Sequence, residues 1–316
     1  MQNSDVIFKI PSHSFVAMGV VLGLLALATI IRLSLKRKHP ERDDTELKLR
    51  IQSWWWMIGI VFAALGAGMQ TSIVLFAFIS FLALKEFFSI VPMRLSDRRV
   101  AFWAYLAIPL QYYWVAMGWY GMFIIFIPVY VFLLLPMRMV LIGETSGFIR
   151  AVGVIHWSVM LTVFSISHIA YLLMLEVNNP AAGGMGLVLF LLFLTQFNDV
   201  SQYVWGKMLG KHKIIPKVSP NKTWEGFLGG LVTISFCAGF AGIYLTPMTF
   251  EQGMVAGIII SISGFIGDVV ISSVKRDLQI KDSGQLIPGH GGILDRLDSL
   301  MYTSPLFFHY YYYFVC

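Results

Sequence analysis

The sequence predicts an all-α, polytopic integral membrane protein with nine or ten transmembrane helices, and three observations carry that prediction. Hydrophobic residues make up 57% of the chain and charged residues only 13%, with a mean hydropathy of +0.74. The apolar residues come in runs of membrane-spanning length. The cations fall on one side of those runs once the runs are alternated across a bilayer. No separate soluble domain fits beside them.

The runs cover residues 15–35, 54–69, 71–91, 100–117, 119–142, 152–175, 184–204, 226–245, 252–271 and 299 to the C-terminus. Several are shorter than the roughly 20 residues a span needs, or merge with a neighbour, which leaves the count at nine or ten. The first run lacks a basic n-region and a small-residue cleavage site, so it reads as a retained span and not a signal peptide. Trp54, Trp55, Trp56, Tyr112, Tyr113 and Trp114 sit at run ends, where aromatic side chains anchor the membrane interface. Cys237 and Cys316 are far apart in apolar surroundings, so neither a disulfide framework nor a zinc spacing exists.

Short loops rich in Lys and Arg stay cytoplasmic. With the N-terminus outside, alternation places residues 36–50, 94–99, 138–150, 207–222 and 275–296 on one face. Every one of the 23 Lys and Arg except Lys9 then lies on that side, counting Arg32 and Lys85 at span ends. The net charge of +6 is therefore mostly topological bias and does not call for a nucleic acid partner. A basic cytoplasmic rim also attracts anionic head groups.

The chain changes character near residue 180. Residues 1–180 are transmembrane helices with one basic loop, KRKHPERDDTELKLR, which is either a small cytoplasmic helix or a topogenic charge cluster. Residues 181–316 hold two polar stretches. The first follows the seventh run: TQFNDVSQYVWGK, then a lysine-rich loop through VSPNKTWEG. The second, residues 272–299, packs four acids, four Lys or Arg, one His and four Gly between two apolar runs. A carboxylate at mid-bilayer costs roughly 2.5 to 3.5 kcal/mol on insertion scales, so the second stretch reads as a site.

The order of residues there is Ser272, Lys275-Arg276, Lys281-Asp282, Pro288-Gly289-His290-Gly291-Gly292, Asp295-Arg296 and Asp298. This order resembles the signature of the phosphatidate cytidylyltransferases, the CDP-diacylglycerol synthases. The first stretch is similar to the same family's S-P-x-K-T-x-E-G element, through Asn198-Asp199, Tyr203, Gly206-Lys207, Pro216, Ser219-Pro220, Lys222-Thr223 and Glu225-Gly226. The resemblance is specific over residues 196–299 and architectural elsewhere. It implies CTP and an anionic lipid phosphate as substrates and Mg²⁺ as cofactor, with a second cation left open; the polar stretches mark 181–316 as the catalytic region, the cation distribution makes both loops cytoplasmic, and the lack of long soluble extensions leans towards a bacterial inner membrane. A homo-oligomer is also left open.

Nucleotidyl transfer is mostly positioning and charge neutralisation, which carboxylate-held Mg²⁺ and Lys or Arg clamps supply. Asp268, Ser272 and Lys275 share one helical face by spacing, either as a site or as a capping and snorkelling cluster. Asp295 and Asp298 stand at i, i+3, either around a divalent ion or as solvated N-terminal acids. The resemblance makes Asp268, Asp295 and Asp298 the metal ligands and, with Lys275, the catalytic set. It assigns substrate contacts to Ser272, Arg276, Lys281, Asp282, His290, Arg296, Asn198, Asp199, Lys207, Lys217, Ser219, Lys222 and Thr223. His290 reads equally as phosphate donor, proton-transfer group or loop packing. Ser219-Pro220 suits an N-cap followed by Pro at the first helical position. Gln202, preceded by Ser201, stands where many relatives carry a small residue before the tyrosine, and is taken as a lipid-selectivity position. The rival readings are a paralogue acting on another lipid phosphate, a channel or transporter, and an inactive scaffold.

The cation distribution makes a topological prediction. Reporter fusions after Lys213 and after Gln285 are expected to report cytoplasm, and one near Asn179 the outside; an external signal from either loop overturns this orientation.

Overall fold

The computed structural model describes residues 10–39, 41, 43–94, 97–289 and 291–316. Its long elements are α1 (Ser12–Lys38), α2 (Thr45–Ala67), α3 (Met69–Ile90), α4 (Arg98–Ala116), α5 (Tyr120–Val140), α6 (Phe148–Leu172), α7 (Gly183–Leu209), α8 (Trp224–Leu245) and α9 (Phe250–Asp277). A four-residue turn of helix, α10 (Leu294–Leu297), precedes α11 (Leu300–Phe314). Each predicted apolar run is thus a helix. Both α5 and α6 carry a π-helical turn, over Phe126–Val131 and Met160–Phe164.

Among the described residues, seven helices are long and apolar enough to cross a membrane: α1, α3, α5, α6, α7, α8 and α9. This is fewer than the nine or ten predicted, and the reasons lie in the other three. Helix α2 opens with Glu46, Lys48 and Arg50, α4 opens on Arg98-Arg99, and α11 has only 15 residues. The chain is an all-helical integral membrane protein in composition. Its outward face fits that medium, since Phe15, Val20, Leu24, Leu27 and Ile31 of α1 and Val232, Phe236 and Phe240 of α8 are exposed.

Internal hydroxyls are satisfied without water. Ser158, Ser235, Ser263 and Ser304 each donate to a carbonyl three or four residues back in their own helix, the economical solution in hydrocarbon. Tertiary contacts gather the helix ends into two sets. At one end Ser14 donates to the Ala182 carbonyl, Asn179 to Thr246, and Tyr171 to Gly118. At the other, Ser53 donates to Pro288, Arg94 to the Ser146 carbonyl, and Arg276 to Val218. The second end carries the cation-rich loops, which agrees with the alternation read from the sequence.

Helix α8 lies between α7 and α9 and packs closely on both. Lipid tails are as apolar as the helices, so close backbone packing must substitute for hydrophobic drive. A Cβ on Gly257 of α9 would stand 2.7 Å from both the Ser235 Cα and the Ala238 Cβ of α8, and 2.8 Å from the Ile234 carbonyl. Gly59 on α2, by contrast, has open space around it. Gly257→Val should therefore force the two helices apart and cost about 1–3 kcal/mol, as overpacking does, while Gly59→Val should leave thermal unfolding in detergent nearly unchanged. Equal melting temperatures for the two variants would show that this contact carries no stability.

Candidate active site

The polar ends of α7 and α9, the segment before α8 and the junction between α10 and α11 converge. Helix α7 contributes Asn198, Asp199 and Gln202. Asn198 is fully buried, and its Oδ1 accepts from Gln202 Nε2 at 3.1 Å and Ser261 Oγ at 2.9 Å. Its Nδ2 is buried without a hydrogen-bond partner. Gln202 Oε1 in turn accepts from Lys222 Nζ at 3.4 Å.

Lys222 is the centre of the charge arrangement. Its Nζ lies 2.6 Å from Asp268 Oδ2, and Ser272 donates to the other oxygen of Asp268 at 3.3 Å. Burial works against the charge on Lys222, but Asp268, Asp199 and Asp298 outweigh it and raise its pKa. Asp298 is raised too, here against its charged form: burial and then the Asp268 and Asp199 carboxylates push it well above the usual carboxylate range, with Arg296 only partly compensating. Ser299 ties this corner together, donating through Oγ to Asp199 at 3.2 Å and to the Gly264 carbonyl at 3.2 Å. Close approach makes the corner possible, because a Cβ on Gly267 would stand 2.4 Å from the Asp298 carbonyl oxygen.

Asp295 has different company. Its Oδ1 pairs with Lys275 Nζ at 2.7 Å. Its Oδ2 accepts the Ser283 N–H at 2.9 Å, Ser283 Oγ at 3.0 Å and the Gly292 N–H at 3.0 Å. Burial alone would raise its pKa, yet Lys275 and these amides hold it below the ordinary value. Despite the i, i+3 spacing the two carboxylates have different partners: Asp295 meets Lys275, Ser283 and Gly292, whereas Asp298 accepts the Ser299 N–H at 2.7 Å and faces Asp268 and Asp199.

The N-cap of α8 is Thr223, not Ser219. Thr223 has extended φ and ψ of −127° and 153°, and its hydroxyl accepts from Gly226 N at 3.2 Å. The helix cannot start earlier because residues 222–224 pair with 212–214: Ile214 N–H donates to the Lys222 carbonyl at 3.1 Å and Trp224 N–H to His212 at 2.9 Å. Ser219 instead closes a turn on Ile215. Glu225 fastens the same loop, accepting from the Lys211 and His212 amides and from His212 Nδ1 at 2.6 Å.

The remaining predicted residues lie around this centre. Arg296 Nε is buried without a partner, and Arg276 donates to the Val218 carbonyl at 3.2 Å, linking the two loops. Lys207 lies over the Tyr203 ring at 6.0 Å. Lys217, Lys281 and Asp282 are exposed. Gly289 and Gly291 take left-handed φ of 74° and 79°; His290 between them lies outside the described residues. Sequence reasoning missed Glu86 on α3, which accepts from Ser283, Ile293 and Leu294. Its one signal was an acid at the polar end of an apolar run.

The donor set suits a hard divalent cation. Asp199, Asp268 and Asp298 offer carboxylate oxygens whose mutual repulsion Lys222 and Arg296 only partly relieve. No group of three or more His, Cys, Asp or Glu at metal-holding range occurs among the described residues, and Mg²⁺ characteristically takes one or two carboxylates and completes its shell with phosphate oxygens and water.

Comparison with known proteins gives these residues a family. The chain is 45% identical over 295 residues to the uncharacterized protein YnbB of Escherichia coli (strain K12), covering 93% of this chain and 97% of that one. It is 43% identical over 125 residues to the phosphatidate cytidylyltransferase of Staphylococcus aureus (strain COL), covering 39% of this chain and 48% of that enzyme. The phosphatidate cytidylyltransferase of Staphylococcus saprophyticus is 37% identical over 153 residues, or 48% of this chain and 59% of the enzyme. A family model matches residues 48–314, and the chain belongs to the cytidylyltransferase family.

Proposed function

We propose that this protein transfers the cytidylyl group of CTP to phosphatidate, giving CDP-diacylglycerol and diphosphate. The observation that carries the proposal is the grouping of Asp199, Asp268 and Asp298 around Lys222 at the cation-rich end of an apolar bundle. An oxygen of the lipid phosphate attacks the α-phosphorus of CTP, the bond to the β-phosphate oxygen breaks, and diphosphate leaves with that electron pair. A phosphate monoester is largely ionised near neutral pH, so no strong general base is required.

In this reading Asp268 and Asp298, with Asp199 beside them, hold Mg²⁺, which would shield the phosphates and polarise the α-phosphorus. Asp295, also a candidate ligand by resemblance, has its oxygens engaged with Lys275, Ser283 and Gly292 and orders the loop. Lys222, Arg296, Lys275 and Arg276 clamp phosphate oxygens. Ser272 orients Asp268 through its hydroxyl. The exposed Lys207, Lys217 and Lys281 draw anionic substrates towards the rim. The cation split supports placing both loops in the cytoplasm, where CTP is.

A second reading is the same reaction on a different lipid phosphate. It is favoured by the uneven similarity: YnbB matches along nearly the whole chain, whereas the Staphylococcus aureus enzyme matches over 39% of it. A channel or transporter would place charges deep in several spans, and here they gather at one end.

Purified protein incubated with labelled CTP, Mg²⁺ and a panel of lipid phosphates should yield a nucleotide-linked lipid, most efficiently from phosphatidate; no product from any lipid overturns the proposal. Asp298→Asn should lower turnover by about 10²–10³-fold, typical for one electrostatic contributor, with thermal unfolding unchanged. Asp295→Asn should lose activity and also stability, because charge-assisted hydrogen bonds worth about 1.5–3 kcal/mol each are weakened. Full activity of Asp298→Asn across a Mg²⁺ titration would remove the metal assignment.

Gln202→Ala, tested on the same panel, should shift the kcat/KM ratio between phosphatidate and other lipid phosphates and barely move the KM for CTP. If every ratio stays constant, Gln202 only props Lys222.

A further inference from the structure

Glu86 stands in the last turns of α3, in the part of the chain where no motif was read, and both of its carboxylate oxygens face the loop between α9 and α10. Oε1 accepts from Ser283 Oγ at 2.6 Å and from the Leu294 N–H at 2.9 Å; Oε2 accepts from the Ile293 N–H at 2.9 Å. Asp295 holds the same segment from the other side, through the Ser283 and Gly292 amides. The Ser283 hydroxyl lies between the two carboxylates, 2.6 Å from one and 3.0 Å from the other.

The two acids therefore fasten both ends of one loop. Residue 283 is tied to residues 292–294, and the turn through Pro288, Gly289 and Gly291 projects between them. Two glycines are imposed by this contact. A Cβ on Gly292 would stand 2.1 Å from Glu86 Oε1, and one on Gly284 would stand 2.8 Å from Oε2. The Ile293 and Leu294 amides open α10, so the same contact fixes where α10 starts and which way Arg296 and Asp298 face. Helix α2 adds a separate strut, with Ser53 donating to the Pro288 carbonyl at 2.6 Å.

We propose that Glu86 is a positioning residue for the transfer reaction: it fixes the 283–294 loop so that Arg296 and Asp298 meet Asp268 and Lys222 in reactive geometry. The reactive part of this statement rests on the cytidylyl-transfer reading, while the loop-holding part does not. A misplacement of about 1 Å by a residue remote from the chemistry can cost on the order of 10²-fold in rate. A residue that served only bundle stability would lower the folded fraction and leave the kinetics of the folded enzyme alone.

The test uses the full-length protein in nanodiscs. Glu86→Gln keeps the size of the side chain but turns an amide NH₂ towards N–H donors. It should lower kcat per folded enzyme by about 10- to 100-fold, leave the KM for CTP within about threefold, and lower the melting temperature as well, because the charge-assisted bonds to Glu86 are weakened as those to Asp295 are. A nitroxide on Gln285→Cys, in a Cys237→Ala/Cys316→Ala background, should become more mobile when Glu86→Gln is added. Gly292→Ala displaces the same carboxylate sterically and should reproduce both effects, with the double variant no worse than either single one. If Gly292→Ala does not fold, Ser283→Ala, which removes one Glu86 bond, takes its place.

Wild-type kcat in Glu86→Gln, or an activity loss that only tracks the folded fraction, overturns the positioning role. An unchanged nitroxide spectrum overturns the loop contact itself. If the wild-type protein makes no nucleotide-linked lipid, the functional reading and the reactive role fall together, and the nitroxide comparison still decides whether Glu86 holds the loop.

Discussion

Lys222 neutralises Asp268 directly and faces two further carboxylates, Asp199 and Asp298, in a corner walled by apolar helices. Like charges about 4 Å apart repel by about 4 kcal/mol at an effective dielectric near 20, so one lysine cannot settle three acids. Arg296 relieves part of the excess, while burial first and then the Asp268 and Asp199 carboxylates push Asp298 upward. On the proposed reading, a hard cation and its phosphate ligands would relieve the crowding of these carboxylates.

That arrangement depends on backbone approach more than on side-chain reach. Asp268 meets Asp298 because Gly267 lets α9 pass the 298–299 backbone, and Lys222 meets Gln202 because Gly226 and Gly230 let α8 close on α7. A Cβ on Gly226 would stand 2.7 Å from the Gln202 carbonyl oxygen, and one on Gly230 2.5 Å from Gln202 Cγ. Helices in contact at this range have little freedom to slide. The charges are therefore held before substrate arrives, which is what electrostatic stabilisation of a transition state requires.

Helix positions were legible because hydropathy along the chain is a local property: each predicted run is a helix, with ends that differ most at α2, which starts at Thr45 and not at residue 54. Crossing the membrane is less legible, since α2 and α4 mix charge into their first turns and α11 is short. The start of α8 was misread because Ser219-Pro220 is a sound local cap signal, whereas the pairing of residues 222–224 with 212–214 is set by the fold of the loop. The divergence of Asp295 and Asp298 was hidden because their partners, Lys275 and the 283–292 loop for one and the Asp199–Asp268 corner for the other, come from elements distant in sequence. Glu86 gave almost no signal, because an acid at the end of an apolar run looks like a snorkelling residue until the loop it grips, about 200 residues later in sequence, is in place.

The two ion pairs of the site differ in what they leave behind when a phosphate competes for the cation. If Lys222 is drawn away, Asp268 retains only the long hydrogen bond from Ser272 and stands beside two other acids, so its loss must be answered by another positive charge. If Lys275 is drawn away, Asp295 still accepts the Ser283 amide, the Ser283 hydroxyl and the Gly292 amide, enough hydrogen bonding to keep a carboxylate ionised. Lys275 can therefore turn to substrate while the loop stays anchored, and Lys222 can do so only as a cation takes its place. On the proposed reading, binding at Lys222 is coupled to the metal, whereas binding at Lys275 is not.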